Sequence, residues 1–329
     1  MKIPVLATLF IVLIFGNSLF AQQQWENVDR FFQPLPQGFH VYRTTENLDG
    51  KPFIAYYAEA PLKNKKLNFI TDTSSNRRLT ISQFYQKNDR PLLVMNCTFF
   101  SFKTNKSLQV VINKGKMLAY NNETIIDKGK GTFIHPFVSA MGIDKNRNAD
   151  VAWLYADSSQ KFPYASQVCL APIKDTMNHT DWATVLKNTS TVSGSYHGSS
   201  EIVPIFTKWK MQTAFGGGPV LLQNADIKIT NNEELKFTGK AIEDKHPRTC
   251  IGYTKDGRLI AMVIEGRFPN IAEGATLMQE AKLLKDLGCV EALNLDGGGS
   301  SGMLINGIQT IKPSDKEGER PVPAVFIIK

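Results

Sequence analysis

The clearest chemical signal in this sequence is an aspartate at the end of a strand-like segment. Asp296 follows residues 290–295 and is followed by the run Gly297-Gly298-Gly299 and by Ser300. Glycines let the backbone approach a ligand closely, and successive backbone N–H groups can form a nest that fits a phosphate. A tight turn whose aspartate bonds its own backbone would use the same residues. The pattern therefore predicts either such a turn or an anion site.

A second carboxylate has the same setting. Glu265 ends the strand-like residues 258–264, and Gly266 and Arg267 follow it directly. A guanidinium can bind an oxyanion through two parallel hydrogen bonds. A surface ion pair is the alternative interpretation of this tripeptide. We expect Glu265 and Asp296 to act together, with Arg267 facing an anion.

Two further segments resemble these strand ends. Gly216-Gly217-Gly218-Pro219 precedes the apolar residues 220–222, and Arg248 precedes the strand start 249–251. Several glycine-rich turns in one chain favour a shared cleft, so we expect the backbone of Gly217 and Gly218 to line it.

Other catalytic patterns are weaker. Residues 298–302 match the letters of a GxSxG nucleophile elbow, but that device needs a following helix and here a strand follows. The histidines lack metal-site spacing, so structural or loop roles are predicted for His135, His179, His197 and His246. The sequence requires no cofactor. A calcium or magnesium ion held by Asp and Asn oxygens is compatible with it, but its ligands are unknown.

The elements that must position these residues are mostly strands. Alternating apolar and polar residues over 39–70 predict antiparallel strands, and residues 79–87 have helical spacing. Thr276 and Gln279 form a predicted capping box, and Gly288 ends that helix. We predict an α+β fold in a single domain, with mixed or antiparallel sheets, a few helices and a surface cleft built from the glycine-rich strand-end turns.

The first residues predict export. Residues 1–21 read as a signal peptide, since Lys2 precedes an apolar run and the segment ends at Ala21. No cysteine stands at the expected cleavage point, so a lipid anchor is not predicted. The domain is expected to span 22–329, with 157–200 as an insertion or group of loops. We expect a periplasmic or secreted protein that is not membrane-embedded.

The charge distribution limits the class of binding partner, and the positions of the cysteines bear on whether disulfides form. The formal net charge is +8, but the basic residues are scattered, which disfavours a nucleic-acid groove and suits a small anionic substrate. The four cysteines lie at 97, 169, 250 and 289. Three of them fall within apolar segments, where buried thiols are expected rather than disulfides.

A series of motifs along the chain resembles the phosphodiester glycosidase family. The similarity runs from about residue 41 to the end and is densest after residue 248. The motifs are Asn96-Cys97-Thr98-Phe99-Phe100, Gly216-Gly217-Gly218-Pro219, Arg248-Thr249-Cys250-Ile251-Gly252, Glu265-Gly266-Arg267, residues 292–301, Pro313-Ser314-Asp315 and Arg320-Pro321. The chain departs from the family pattern at Cys97 (usually glycine), Ala225 (often glycine) and Glu265 (commonly aspartate).

The resemblance implies hydrolysis of an α-linked N-acetylhexosamine 1-phosphodiester to free sugar and a phosphomonoester. Glycoside cleavage usually uses two carboxylates, so Asp296 and Glu265 are expected to act on the anomeric carbon or its attacking water. The leaving phosphate is a weak base, so cations matter more than a strong general acid. The substrate-binding residues expected are Asn96 for the sugar, Arg248, Arg267 and Arg320 for the phosphate, and Thr98, Gly217, Gly218, Gly297, Gly298, Gly299 and Ser300 around them.

Two other function classes fit the same residues. A non-catalytic module that recognises phosphorylated glycans would use the same arginines. A metal-dependent phosphodiesterase would break the P–O bond instead and release a sugar 1-phosphate.

Overall fold

The computed structural model describes residues 23–121, 124–127, 130–156, 158–159, 161–176 and 206–329. The predicted signal peptide lies outside the described residues, and so does most of the predicted 157–200 insertion. The described part of that region contributes two short strands.

Most of the described chain is β-structure. The strands are, in order, β1 (Glu26–Asn27), β2 (His40–Thr44), β3 (Ala55–Pro61), β4 (Phe69–Thr73), β5 (Leu93–Asn96), β6 (Val111–Asn113), β7 (Lys116–Ala119), β8 (Ile125–Asp127), β9 (Thr132–His135), β10 (Val138–Asp144), β11 (Ala149–Tyr155), β12 (Tyr164–Ser166), β13 (Ile173–Asp175), β14 (Thr207–Lys208), β15 (Met211–Gly216), β16 (Val220–Gln223), β17 (Asp226–Ile227), β18 (Arg248–Thr254), β19 (Arg258–Ile264), β20 (Cys289–Asn294), β21 (Met303–Ile305), β22 (Ile308–Gln309) and β23 (Ala324–Ile328). Within the described ranges the α-helices are α1 (Ile81–Lys87), α2 (Asn231–Glu234) and α3 (Leu277–Asp286).

The strands form four sheets among the described residues. The eight-stranded sheet has the order β1-β2-β3-β19-β18-β20-β16-β17, and the seven-stranded sheet β14-β12-β11-β10-β15-β6-β7. The five-stranded sheet has the order β22-β21-β5-β23-β4, and β13-β9-β8 form a small fourth sheet. Each of these strand pairs is antiparallel, as in the eight-stranded sheet, where β18 lies between β19 and β20.

The three large sheets share one interior core. Trp153 of the seven-stranded sheet, Phe326 of the five-stranded sheet and Leu293 of the eight-stranded sheet are fully buried in the same cluster. Side chains alternate across a strand, so each sheet contributes every second residue to this core. The side chains on the opposite, outer face of each sheet must be shielded from water by other elements.

Two helices supply this shielding for the eight-stranded and five-stranded sheets. Helix α3 packs Leu277, Ala281 and Leu284 on the outer face of the eight-stranded sheet, and the predicted capping box of Thr276 and Gln279 is present. Helix α1 packs Ile81 and Phe84 on the outer face of the five-stranded sheet. It begins at Ile81 rather than at Leu79 because the Thr80 hydroxyl accepts a hydrogen bond from the Gln83 amide and caps the helix.

Of the predicted α+β fold, the part confirmed is a single fold of antiparallel sheets with few helices, and the structure is mostly β. All four cysteines carry free thiols. No helix in the described part of the chain is long and apolar enough to cross a membrane.

Candidate active site

The candidate site lies where the chain passes from the eight-stranded to the five-stranded sheet. We call residues 295–302 the Asp296 turn, because β20 ends at Asn294 and β21 begins at Met303. Asn96, at the end of β5, holds this turn in place. Its Nδ2 donates to the Asp296 carbonyl (2.5 Å), and its Oδ1 accepts from Thr249 Oγ1 (2.8 Å) and the Gly302 amide (3.1 Å).

Asn96 is only 1% exposed, and both atoms of its side-chain amide bond to protein groups. Thr98 is also 1% exposed, and its hydroxyl oxygen accepts a hydrogen bond from Ser107 Oγ at 2.9 Å. The structure therefore places Asn96 and Thr98 behind the turn. This placement does not support the expectation that Asn96 holds a sugar directly.

The Asp296 carboxyl group is under-bonded. Its Oδ2 atom is buried and has no hydrogen-bond partner among the described residues, although the residue as a whole is partly exposed. Burial raises the pKa of Asp296 to about 7, and the Ser300 hydroxyl, Arg320 and the Gly297 amide oppose that rise. A carboxyl group that titrates near neutral pH can both accept and donate a proton there.

The glycines of the turn make room for two arginines. Gly298 has φ +62°, and a Cβ on it would lie 2.8 Å from Nη2 of Arg267. A Cβ on Gly299 would lie 2.5 Å from Cζ of Arg320 and closer still to Asp315 Oδ1. The Gly298 amide donates to the Pro247 carbonyl at 2.8 Å, so it is not free for a ligand. The glycines thus bring guanidinium groups, rather than a full set of amides, to the turn.

Asp315 links these two arginines. Arg320 binds it through Nε (2.7 Å) and Nη2 (2.9 Å), and Arg267 Nη1 lies 4.0 Å from Asp315 Oδ1. Arg320 Nη1 also donates to Ser300 Oγ at 3.5 Å. The side chains of Arg267 and Arg320 are 44% and 24% exposed. Arg320 is therefore fixed beside Asp296 and Arg267 lies next to Gly298 of the same turn, and both side chains are partly exposed.

Glu265 lies at the same edge of the sheet as Asp296. Ile264 pairs with Arg248 and Cys250 pairs with Asn294, so β18 separates the two strand ends. Neighbouring strands are about 4.8 Å apart, so the two backbones are roughly 10 Å apart. Glu265 is 8% exposed, and its Oε2 accepts the Lys312 amide at 2.8 Å. It thereby supports the segment that carries Asp315.

Arg248 lies beneath the turn. It is 3% exposed and donates from Nε to the Ala275 carbonyl (3.0 Å) and from Nη2 to the Asp244 carbonyl (3.3 Å). Burial lowers the pKa of Arg248, and burial raises the pKa of its neighbour Glu280 to about 7. The expectation that Arg248 grips a phosphate is thus not supported by its placement, because two of its nitrogens bind the backbone.

The Gly216 turn, which is residues 216–219, has backbone amides that bond within the protein rather than facing a ligand. The Gly217 amide donates to the Ser139 carbonyl (3.0 Å), and the Gly218 amide donates to the Asn294 carbonyl (2.7 Å). Asn294 Nδ2 donates back to the Gly218 carbonyl at 2.7 Å. The turn is buried, so Gly217 and Gly218 brace the strand that leads to Asp296. The expected cleft does not include them.

Two residues of the site carry no site role in the sequence prediction. Asp315 stands in one of the motifs, and its spacing of five residues from Arg320 could have indicated a pair. His246 precedes Arg248 by two residues and shares its sheet edge. Burial lowers the pKa of this partly exposed histidine, and Arg248 and Arg267 lower it further. No group of three or more His, Cys, Asp or Glu side chains in the described ranges is arranged to hold a metal ion.

Comparisons of the sequence with known proteins identify a family and individual relatives. Residues 178–329 match the profile of the phosphodiester glycosidase family. The mouse N-acetylglucosamine-1-phosphodiester alpha-N-acetylglucosaminidase is 32% identical over 103 residues, which are 29% of this chain and 20% of the mouse protein. The human protein of that name is 33% identical over 103 residues, with the same shares of each chain. The match thus spans about a fifth of the length of these relatives.

Solved structures share the fold over most of the chain. The catalytic domain of the zebrafish N-acetylglucosamine-1-phosphodiester alpha-N-acetylglucosaminidase, auto-inhibited by its pro-peptide, has a TM-score of 0.56 at 18% identity. That alignment covers 93% of this chain and 88% of the zebrafish chain. A hypothetical protein from Synechocystis has a TM-score of 0.58 at 13% identity, covering 93% of this chain and 63% of that chain. Together with the family profile, these matches confirm the resemblance to the phosphodiester glycosidase family that the motifs indicate.

Proposed function

We propose that this protein is a glycosidase that hydrolyses an α-linked N-acetylhexosamine 1-phosphodiester to free sugar and a phosphomonoester. The observation that carries the proposal is the Asp296 carboxyl group, which lies beside Arg320, has a pKa raised to about 7, and has a buried oxygen with no hydrogen-bond partner among the described residues. The names of the mouse and zebrafish relatives support the substrate class.

Arg267 and Arg320 bind the phosphate in this proposal. Asp315 holds the Arg320 guanidinium through two hydrogen bonds, so Arg320 loses little conformational entropy when an anion binds, and Arg267 lies 4.0 Å from the same carboxylate. As the glycosidic bond breaks, negative charge grows on the departing phosphate, and fixed cations stabilise that charge. The leaving group then needs no strong general acid.

Asp296 transfers the proton. A base with a pKa near the working pH is well suited to remove a proton from water as the oxygen attacks the anomeric carbon. The new bond joins the water oxygen to the sugar, the bond from anomeric carbon to phosphate oxygen breaks, and Asp296 retains the proton. Glu265 is the second predicted carboxylate; it holds the Lys312 amide and, through that segment, Asp315.

The remaining predicted residues position this group. Asn96 fixes the Asp296 carbonyl, and Arg248 ties the start of β18 to Ala275. His246, which its surroundings keep neutral at pH 7, is the side chain best suited to bond a sugar hydroxyl near Arg267.

Hydrolysis in ¹⁸O-labelled water tests the proposal. An N-acetylhexosamine α-1-phosphodiester should yield free sugar that carries the label, and Asp296→Asn should release it about 10³-fold more slowly. Label on the phosphate together with sugar 1-phosphate would instead identify P–O cleavage. Saturable binding without any product would identify a binding module.

A further inference from the structure

An exposed phenylalanine stands next to the candidate site. Phe102 is 62% exposed and lies on the hairpin that follows β5. The hairpin is held by its own backbone, since the Ser101 amide donates to the Lys106 carbonyl (3.0 Å) and the Asn105 amide donates to the Ser101 carbonyl (2.8 Å). A large aromatic side chain on an ordered, exposed loop is a frequent feature of binding surfaces.

Two arginines flank this ring. The Arg320 guanidinium carbon lies 5.6 Å from the centroid of Phe102, and that of Arg78 lies 5.0 Å from it. Phe100 packs against Phe102 with its ring centroid 4.7 Å away, and Arg78 is also 5.4 Å from Phe100. Both cations lie within the distance at which a guanidinium is attracted to an aromatic ring.

The neighbours of Arg320 indicate which part of a substrate the Phe102 ring would contact. Arg320 contacts Ser300 and lowers the pKa of Asp296 on one side, and it contacts Phe102 on the other. If Asp296 acts at the anomeric carbon and Arg320 binds the phosphate, Phe102 lies beyond the phosphate. The alcohol esterified on the far side of the phosphate would then meet this ring.

We infer that Phe102 and Arg78 form a subsite for the leaving-group alcohol, and that this alcohol is a hexose carrying a further negative charge. The inference rests on the proposed function. The C–H face of a pyranose packs on an aromatic ring while its hydroxyls stay in water. Arg78 supplies a second cation beside the ring, 5.0 Å from its centroid, and its planar donors suit a phosphate. The substrate class is therefore a sugar-phosphate chain rather than an isolated small diester.

Three synthetic diesters with the same N-acetylhexosamine 1-phosphate test this subsite. Their alcohols are methanol, a methyl hexoside and a methyl hexoside that carries a second phosphate. Phe102→Ala should lower kcat/KM about tenfold for both hexosides and clearly less for the methyl diester. Phe102→Trp should restore the rate, and Arg78→Ala should cause its largest loss with the doubly phosphorylated substrate.

Phe31→Ala is the matched control. Phe31 is 57% exposed and has the Arg30 guanidinium 4.7 Å from its ring, but it lies in the N-terminal segment. The Phe31→Ala variant should leave kcat/KM unchanged for all three diesters. Equal losses with all three diesters in Phe102→Ala would mean that the ring only supports the fold, and unchanged rates would mean that it contacts no substrate. Either result would overturn the inference.

A binding measurement separates this inference from the proposed function. If the wild-type protein hydrolyses none of the diesters, the proposed reaction fails, and the subsite is tested with the phosphorylated methyl hexoside alone. Saturation-transfer NMR should then show binding to the wild-type protein that is weakened about tenfold in Phe102→Ala. Equal affinities would contradict the subsite.

Discussion

The two glycine-rich turns of this protein carry similar sequences but have different surroundings. The Gly216 turn lies beside Glu234, whose carboxylate accepts from the Ser139 amide (3.0 Å) and hydroxyl (2.6 Å), the Val220 amide (3.0 Å), Thr230 Oγ1 (2.6 Å) and Trp153 Nε1 (3.3 Å). The Asp296 turn carries a carboxylate with one buried oxygen that has no partner in the described part of the chain.

The comparison shows what a glycine run does and does not predict. In both turns a Cβ would collide with a neighbour, so glycine is needed for close approach. At Gly217 the nearest neighbour is the Asn294 backbone, whereas at Gly299 the nearest neighbours are the Asp315 carboxylate and the Arg320 guanidinium. A buried carboxylate with five donors stabilises the fold. An under-bonded carboxylate costs stability, as expected of a group that a function requires.

The largest expected effect is the loss of turnover in Asp296→Asn. The amide cannot accept the proton of the attacking water, so kcat should fall about 10³-fold. Initial rates with the N-acetylhexosamine methyl phosphodiester measure this, and circular dichroism checks the fold. A variant that kept more than a tenth of the wild-type rate would remove Asp296 from the chemistry.

The next largest effect is the loss of stability in Glu234→Gln. The new amide N–H₂ would face the hydroxyls and amides that now donate to Glu234, so the free energy of unfolding should fall by about 2–4 kcal/mol. Urea denaturation measures it, with the neighbouring Glu233→Gln as a control. The folded variant should retain kcat within a few-fold. A stable Glu234→Gln protein with much lower kcat would reverse the contrast between the turns.

A third effect distinguishes the two glycine runs directly. In Gly299→Ala the methyl group would displace the movable ends of Arg320 and Asp315, so KM should rise about tenfold with little change in stability. In Gly217→Ala it would lie 2.5 Å from the Asn294 carbonyl oxygen, and unfolding should become easier by about 1–3 kcal/mol. Enzyme kinetics and denaturation of both variants measure these effects. A Gly299→Ala protein that mainly loses stability, together with a Gly217→Ala protein that mainly has a raised KM, would contradict the comparison.

Local elements of this fold could be predicted from the sequence because their signals are local. The capping box of Thr276 and Gln279, and the alternation along β2 and β3, depend on residues within one turn or strand. The strand order could not be predicted. β20 lies between β18 and β16, and β5 lies between β21 and β23, through pairings between residues far apart in sequence.

The candidate site likewise contains residues that the sequence predicts and contacts that depend on the folded chain. Asp296 and Arg267 were predicted from the residue types that follow strand ends, whereas Arg320 was predicted from the family resemblance. The structure brings Arg320 next to Ser300 and Asp296, and Arg267 next to Asp315. The link through Asp315 needed the folded position of the Lys312 segment on Glu265. The closed state of Gly217 depends on which neighbours surround that turn, and a run of glycines does not encode them.

The smallest effect concerns pH and the stability of Asp296→Asn. Below about pH 4 the aspartate is protonated in both the folded and the unfolded chain. Between its ordinary pKa of 3.8 and the raised value of about 7, only the unfolded chain loses the proton, so the wild-type protein loses stability as the pH rises. Above about pH 7 the loss is complete. The asparagine does not titrate, so the variant should gain stability relative to wild type across this range. Because the turn is partly open to water, we expect a gain of about 1 kcal/mol.

Glu280 titrates in the same direction but is present in both proteins, so its contribution cancels. Urea denaturation at several pH values gives the difference directly. A difference that stays constant from about pH 4 to pH 8 would show that Asp296 ionises freely, as an ordinary surface carboxylate does.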